Sequence, residues 1–318
     1  MIETLQSLRF IFIMMILMSH FAYRGIGPFD AGGDCGVAFF FMLSGFVISL
    51  GYGRQVREGT FHYGHFLRKR FWKLYPLHLL CLLFWLIISK NAIDVRVVLN
   101  LLLLQSWIPD AGYYFSCNSV SWFLSGLFFC YLLFPWAYKH VSKGWGACVL
   151  AAYVMVCLLT PYEKVNAILY VNPLVRFVDF YIGIVLCRIY EKGYSLQSGA
   201  VWMEWLLLLA LVVLLAVYPY VDEKLRNAPM YWIVLVPMLL VFSKGQGPLS
   251  KLLKTKPMLM LASLSMPIFM THQMLIGILF RRLPDMPVVV MLFLSVFTVL
   301  VVSWLLDRLV LRQIGKFI

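Results

Sequence analysis

The chain has 318 residues, of which 62% are hydrophobic and only 13% charged. Soluble domains are nearer half apolar and a quarter charged, so a water-soluble globular protein is excluded. A net charge of +13 could suggest a nucleic-acid partner, but the placement of the basic residues argues against one.

Apolar runs recur along the whole length, each suited to crossing about 30 Å of hydrocarbon. They predict spans at 5–23, 36–53, 73–90, 119–138, 145–160, 174–190, 200–219, 229–243, 257–280 and 287–306. The expected fold is an all-α polytopic membrane protein of about ten transmembrane helices, with 1–318 as a single domain. With the N-terminus inside, 18 of the 27 Lys and Arg fall on inner loops and ends. That bias follows the positive-inside rule and places both termini in the cytoplasm. The basic excess is thus mainly a topology signal.

In the first span, Arg9 and His20 are eleven residues apart. Eleven steps of about 100° make roughly three turns plus 20°, so both project from one helix face, about 16 Å apart along the axis. Ionisable groups at such depth mark functional sites by default. Taken singly, Arg9 also fits a side chain snorkelling to headgroups, and His20 an interfacial histidine bonded to a neighbouring helix. The segment has neither a basic leader nor a small-residue cleavage site and is expected to be an uncleaved anchor.

The loop Arg24 to Asp34 that follows is rich in glycine and acid, through Gly25, Gly27, Asp30, Gly32, Gly33 and Asp34. The second span carries Ser44 and Gly45 beside a phenylalanine wall, where another helix or an extended ligand could approach the backbone closely. Next comes a strongly basic loop ending in Leu67-Arg68-Lys69-Arg70-Phe71-Trp72-Lys73-Leu74-Tyr75-Pro76. Topology and anionic lipid would select such a loop. Arg68, Arg70 and Lys73 would equally suit the phosphates of a polyphosphate ligand.

Val95 to Trp107 is too short to cross and predicts a re-entrant or interfacial helix. The span 119–138 holds Trp122, Ser125 and Tyr131. In 174–190, Arg176 and Asp179 stand three apart and can neutralise each other. His272, well inside 257–280, fits a buried histidine bonded to a helix carbonyl or a second polar group lining the cavity around His20. Five of the seven cysteines lie in spans as small apolar residues, while Cys35 and Cys117 map to the outer side, where an oxidising compartment would allow a disulfide. His62 and His65 lack a carboxylate or cysteine to complete a ligand set, so no metal is assigned.

Several segments together resemble the integral-membrane acyltransferase-3 family. Arg9 and His20 match its arginine, ten residues and histidine, and Gly36 to Phe46 resembles its GV-x-x-FF-x-x-SGF. Arg68, Arg70, Tyr75 and Pro76 match its basic stretch. Trp122 to Ser125 with Tyr131 to Pro135, Arg176 to Gly183, and Ser265 to His272 follow in order. Where the family often has a glutamate shortly after the tryptophan, this chain reads Trp122-Phe123-Leu124-Ser125-Gly126-Leu127. If that carboxylate orients a base in the family, the role would fall here to Asp34, to Asp179, or to no residue.

The resemblance implies transfer of an acyl group, most often acetyl, from cytoplasmic acyl-CoA to a hydroxyl of a cell-surface glycan or lipid-linked sugar. The setting would be the inner membrane of a bacterium, without a metal. Arg9, Arg68, Arg70, Lys73 and Tyr75 would hold acetyl-CoA. His20 would act as general base or transient acyl carrier, with Arg9 beside it in the catalytic set. Trp122, Ser125, Asp179, His272 and Asp34 would contact the acceptor. The competing expectation is a glycolipid or polysaccharide transporter or flippase without acyl chemistry, which would show matched broken helices in two halves.

Overall fold

The structure is a computed structural model that describes residues 2–22, 25, 31–89, 93–193 and 200–314. Arg24, Gly27 and Asp30 of the glycine-rich loop lie outside the described residues.

No strand occurs among the described residues. The long helices are α1 (Glu3–Ala22), α2 (Ala31–Glu58), α3 (Tyr63–Ser89), α4 (Trp122–Lys139), α5 (Lys143–Leu159) and α6 (Pro173–Glu191). They continue with α7 (Ala200–Val217), α8 (Pro229–Lys244), α9 (Lys256–Ser263), α10 (Ser265–Arg282) and α11 (Val288–Leu306). Among the described residues, seven stretches are long and apolar enough to cross a bilayer, and the α9–α10 pair makes an eighth. The shorter α5 and the charged α6 coincide with the other two predicted spans. The protein is an all-α polytopic membrane protein.

The ninth span is not one rod. The axis turns by 56° at Leu264, between α9 and α10. Pro267 explains the break, because its ring clashes with the carbonyl four residues earlier and it has no N–H to donate. That carbonyl belongs to Ser263, the last residue of α9.

Helix α2 is the centre of the bundle. A Cβ at Gly45 would overlap the backbone carbonyl of Phe180, and one at Gly183 the carbonyl of Met42. Two small residues thus let α2 and α6 touch backbone to backbone, so the close approach expected at Gly45 is made by a helix. On the other side, Gly32 and Gly36 admit α1 against the same helix. Peripheral α7 and α11 keep Glu204, Ser295 and Ser303 buried and expose Trp202, Leu206, Leu209, Phe293 and Phe297, as helices facing lipid do.

The bundle is tied internally by polar groups that the bilayer would otherwise leave unsatisfied. Ser7 Oγ donates to the Leu253 carbonyl at 2.5 Å, and Thr4 Oγ1 donates to that of Phe242. Glu204, fully buried in α7, accepts from the backbone N–H groups of Gly247 at 2.9 Å and Ser250 at 3.0 Å. It therefore caps the short helix Pro248–Leu253.

The Val95–Trp107 segment does not cross: it forms a short helix, Val95–Leu101, and a 3-10 turn, Gln105–Trp107. Tyr75 Oη donates to the Leu101 carbonyl at 2.9 Å, and His78 Nε2 lies 2.9 Å from that of Asn100. These bonds pin the segment to α3. Cys35 and Cys117 are both free thiols, so the disulfide that their outer-side placement allowed is not formed. Cys35 is fully buried within the packing of α2.

Candidate functional site

Helix α1 runs past two cavities, and its polar face opens into both. The first, of about 130 Å³, is lined by Gln6, Arg9, Ser44, Arg70, Lys73, Tyr131 and a mainly apolar wall that includes Phe40, Phe123, Leu127, Met266 and Phe269. The second, of about 440 Å³, holds His20, Asp34, Trp122, Gln273 and a rim of Asn166, Tyr170, Tyr218, Glu223, Arg226 and Asn227, again with Phe269. Arg9 lines the cationic chamber and His20 the larger polar one, so α1 borders both.

The cationic chamber forms because the basic loop of the sequence is the first part of α3, which packs against α4 and brings Arg70 and Lys73 toward Arg9. The Arg70 guanidinium lies 5.2 Å, 5.4 Å and 5.9 Å from the ring centroids of Tyr52, Phe66 and Tyr131. Aromatic faces attract a weakly hydrated cation, so its orientation is set before any anion arrives. The Nε of Arg70 is buried and has no partner. It is a donor held in reserve.

Two residues expected in this chamber are elsewhere. Arg68 is exposed and not part of the lining. The helical period turns it away from Arg70, since residues two apart do not share a face. Tyr75 is committed to structure: its hydroxyl holds the Leu101 carbonyl and its ring stacks on Phe71 at 4.3 Å.

In the polar chamber, Asp34 accepts from Tyr218 Oη at 3.1 Å, and the Arg226 guanidinium sits 5.0 Å from the Tyr218 ring centroid. Trp122 and Tyr170 pack at 4.8 Å and give an aromatic wall. The His272 ring lies 4.8 Å from that of His20, tilted by 48°. His272 is fully buried, so it stands behind His20 rather than lining the chamber. Its Nδ1 is 3.0 Å from the Ile268 carbonyl and 2.8 Å from that of Phe269. Two acceptors require the proton to be on Nδ1, which leaves Nε2 an acceptor, buried and without a partner.

Ser125 and Asp179, expected to touch the acceptor, do not reach the chamber. Ser125 is buried and accepts from Ser106 Oγ at 2.6 Å, which ties α4 to the re-entrant segment. Asp179 is buried completely, pairs with Arg176 at 3.2 Å and accepts from Trp232 Nε1 at 2.6 Å. Arg176 extends the tie to the carbonyls of Leu169 at 2.7 Å and Asn227 at 3.3 Å. The pair therefore holds up the rim without facing the cavity.

The rim is where sequence reasoning was blind. Asn166, Tyr218, Glu223, Arg226 and Asn227 come from loops and short helices with no periodic signal. Only the charges between 222 and 226, beside an outer span end, could have flagged them. Outside the rim, Tyr162 Oη and the Lys224 amide donate to Asp222, each at 2.8 Å, and hold its carboxyl below the usual range.

A family model described as an acyltransferase domain matches residues 2–308. Acyltransferase MdmB of Streptomyces mycarofaciens is 32% identical over 216 residues, which cover 59% of this chain and 54% of that protein. Protein 2 in picA locus, from Rhizobium radiobacter, is 40% identical over 78 residues, covering 24% of this chain and 40% of its own length. The chain thus spans about half or less of the curated relatives it matches. No solved structure matches it.

Proposed function

The chain belongs to the acyltransferase-3 family of membrane proteins, and from that premise we propose that it moves an acetyl group from acetyl-CoA to a hydroxyl of a glycan or lipid-linked sugar. The observation that carries this reading is the shared face of Arg9 and His20, which opens at one end into a chamber of three cations and at the other into a polar chamber with an aromatic wall.

Arg9, Arg70 and Lys73 supply charge-assisted donors for the phosphates or pantetheine arm of the donor. With both termini in the cytoplasm, this end is the one cytoplasmic CoA would meet. The apolar wall beyond the cations suits an extended arm running along α1. The acceptor would sit in the larger chamber, where Trp122 offers a stacking face and Asp34, Asn166 and Gln273 offer hydrogen bonds to hydroxyls.

His20 lines that larger chamber. As general base it takes the acceptor hydroxyl proton while the oxygen attacks the thioester carbonyl. The C–S bond then breaks, and the imidazolium returns the proton to the departing CoA thiolate. An alternative order forms an acyl-His20 first, releases CoA, and lets the acceptor hydroxyl take the acyl group from the imidazole. In either order His272, packed behind His20 with Nε2 as an acceptor, takes the orienting role for which the sequence offered Asp34 or Asp179 in place of the family's glutamate.

The test is CoA release from acetyl-CoA by the protein in nanodiscs, with a host glycan and lipid extract, for wild type, His20→Ala and Arg9→Ala. Release that disappears in His20→Ala while acetyl-CoA still binds supports the reading. Normal acylation by His20→Ala overturns it.

A further inference from the structure

Among the described residues, the two chambers have one in common. Phe269 lines both, and we propose that its ring is the partition that decides which acyl groups reach His20, making it the residue that determines donor chain length. This inference rests on the donor and acceptor assignment above.

A core phenylalanine is normally surrounded by side chains, whereas Phe269 has open space on two sides. It is 6% exposed nonetheless, because Phe123 closes on it with ring centroids 4.9 Å apart. Phe123 in turn rests on Phe41 at 4.6 Å, so the partition is braced from α2. The backbone that carries Phe269 is fixed as well. It lies in the first turns of α10, just past the 56° bend at Leu264, and its carbonyl faces His272 Nδ1 at 2.8 Å. The ring is therefore held between a braced aromatic neighbour and the helix that carries it, with its centroid 6.1 Å from that of His272.

A donor entering from the Arg9 end leads with its acyl group. For the thioester carbonyl to come near His20, the atoms beyond that carbonyl must pass the ring or lie beside it. The space past the ring is polar and belongs to the acceptor, so a longer hydrocarbon tail gains nothing there. A two-carbon group fits beside the ring. Without the ring, the apolar wall of the first chamber becomes continuous with the larger chamber, and a tail can lie along Phe123, Leu127 and Met266.

The experiment compares acetyl-, butyryl- and hexanoyl-CoA as donors for wild type, Phe269→Ala, Phe269→Leu and Phe269→Trp in nanodiscs. The rates of CoA release are measured with and without the acceptor extract. Each buried methylene is worth roughly a fourfold change, so the butyryl-to-acetyl ratio of kcat/KM should rise on the order of tenfold in Phe269→Ala and less in Phe269→Leu. Joining the chambers also admits water. Acceptor-free release should increase as water attacks the thioester carbonyl, the C–S bond breaks, and free carboxylic acid and CoA thiol form. Phe269→Trp should lower kcat for acetyl-CoA with little change in KM.

An unchanged chain-length profile and unchanged acceptor-free release in Phe269→Leu, with wild-type acetyl transfer intact, would overturn the partition. If Phe269→Ala does not fold, the leucine and tryptophan variants decide the same point. Failure of wild type to consume any of the three thioesters would instead strike the acyl-transfer reading itself.

Discussion

Replacing Asp179 with alanine distinguishes a structural carboxylate from a substrate contact. Asp179 and Arg176 are both fully buried in α6, and their ion pair measures 3.2 Å. Removing the carboxylate leaves a guanidinium without its counter-charge inside the bundle, a class of change that costs about 3–5 kcal/mol. The lost Trp232 bond to a charged acceptor is worth about 1.5–3 kcal/mol and overlaps with that figure rather than adding in full. At about 2 °C per kcal/mol for a chain of this size, the midpoint of thermal unfolding in detergent should fall by about 6–10 °C.

The double variant Arg176→Met with Asp179→Leu removes both charges. It should recover part of the loss, because an apolar pair replaces a desolvated ionic one. Recovery stays incomplete, since the Leu169 and Asn227 carbonyls lose their donor. Circular dichroism melts of wild type, Arg176→Met, Asp179→Leu and the double variant give the coupling energy. A wild-type melting curve for Asp179→Ala together with abolished acyl transfer would refute the argument and return Asp179 to the acceptor site.

Further outcomes follow from the packing and the two chambers. Gly183→Ala should destabilise by about 1–3 kcal/mol, because a new methyl meets a backbone carbonyl that cannot move aside; an unchanged melting curve would contradict the close crossing with Gly45. Arg70→Ala should weaken acetyl-CoA binding at least tenfold in isothermal titration, whereas Arg68→Ala, an exposed side chain, should change it less than threefold. Asp222 has a carboxyl held below its unfolded value, so the Tyr162 tether contributes above the unfolded pKa and is lost as pH falls through the lower folded one. Proteolysis of the 218–227 segment should therefore accelerate below about pH 4, and Asp222→Asn should show the acid behaviour at neutral pH. A melt of the rim that ignores pH would exclude the tether.

A transporter would call for broken helices matched between two halves. The α9–α10 bend is the one bent pair among the described residues that passes the length and composition test for a span, and its cause is local to Pro267. Nothing among the described residues of the first half answers it.

Length, apolar runs and the placement of arginine and lysine were enough to predict an all-helical bundle with helices at each of the ten expected spans. These signals are local: a run of apolar residues either suffices to cross hydrocarbon or it does not, and the cost of charge in lipid arises wherever the charge occurs. The Arg9–His20 face was equally legible, because helical periodicity is a property of one element. What periodicity could not provide was the neighbourhood of that face. Arg68 and Arg70 look alike in a string of letters, and only the direction of α3 against α4 decides that one enters the chamber and the other faces out. Ser125, Asp179 and Tyr75 carry the chemistry of a site, yet tertiary contacts commit each of them to a re-entrant segment or a buried ion pair. The break at Leu264 was concealed in a continuous apolar stretch, although Pro267 was its visible cause. Phe269 carried no signal at all. An aromatic side chain in a membrane helix reads as packing until two cavities are found on either side of it, and cavities are made by elements far apart in the chain.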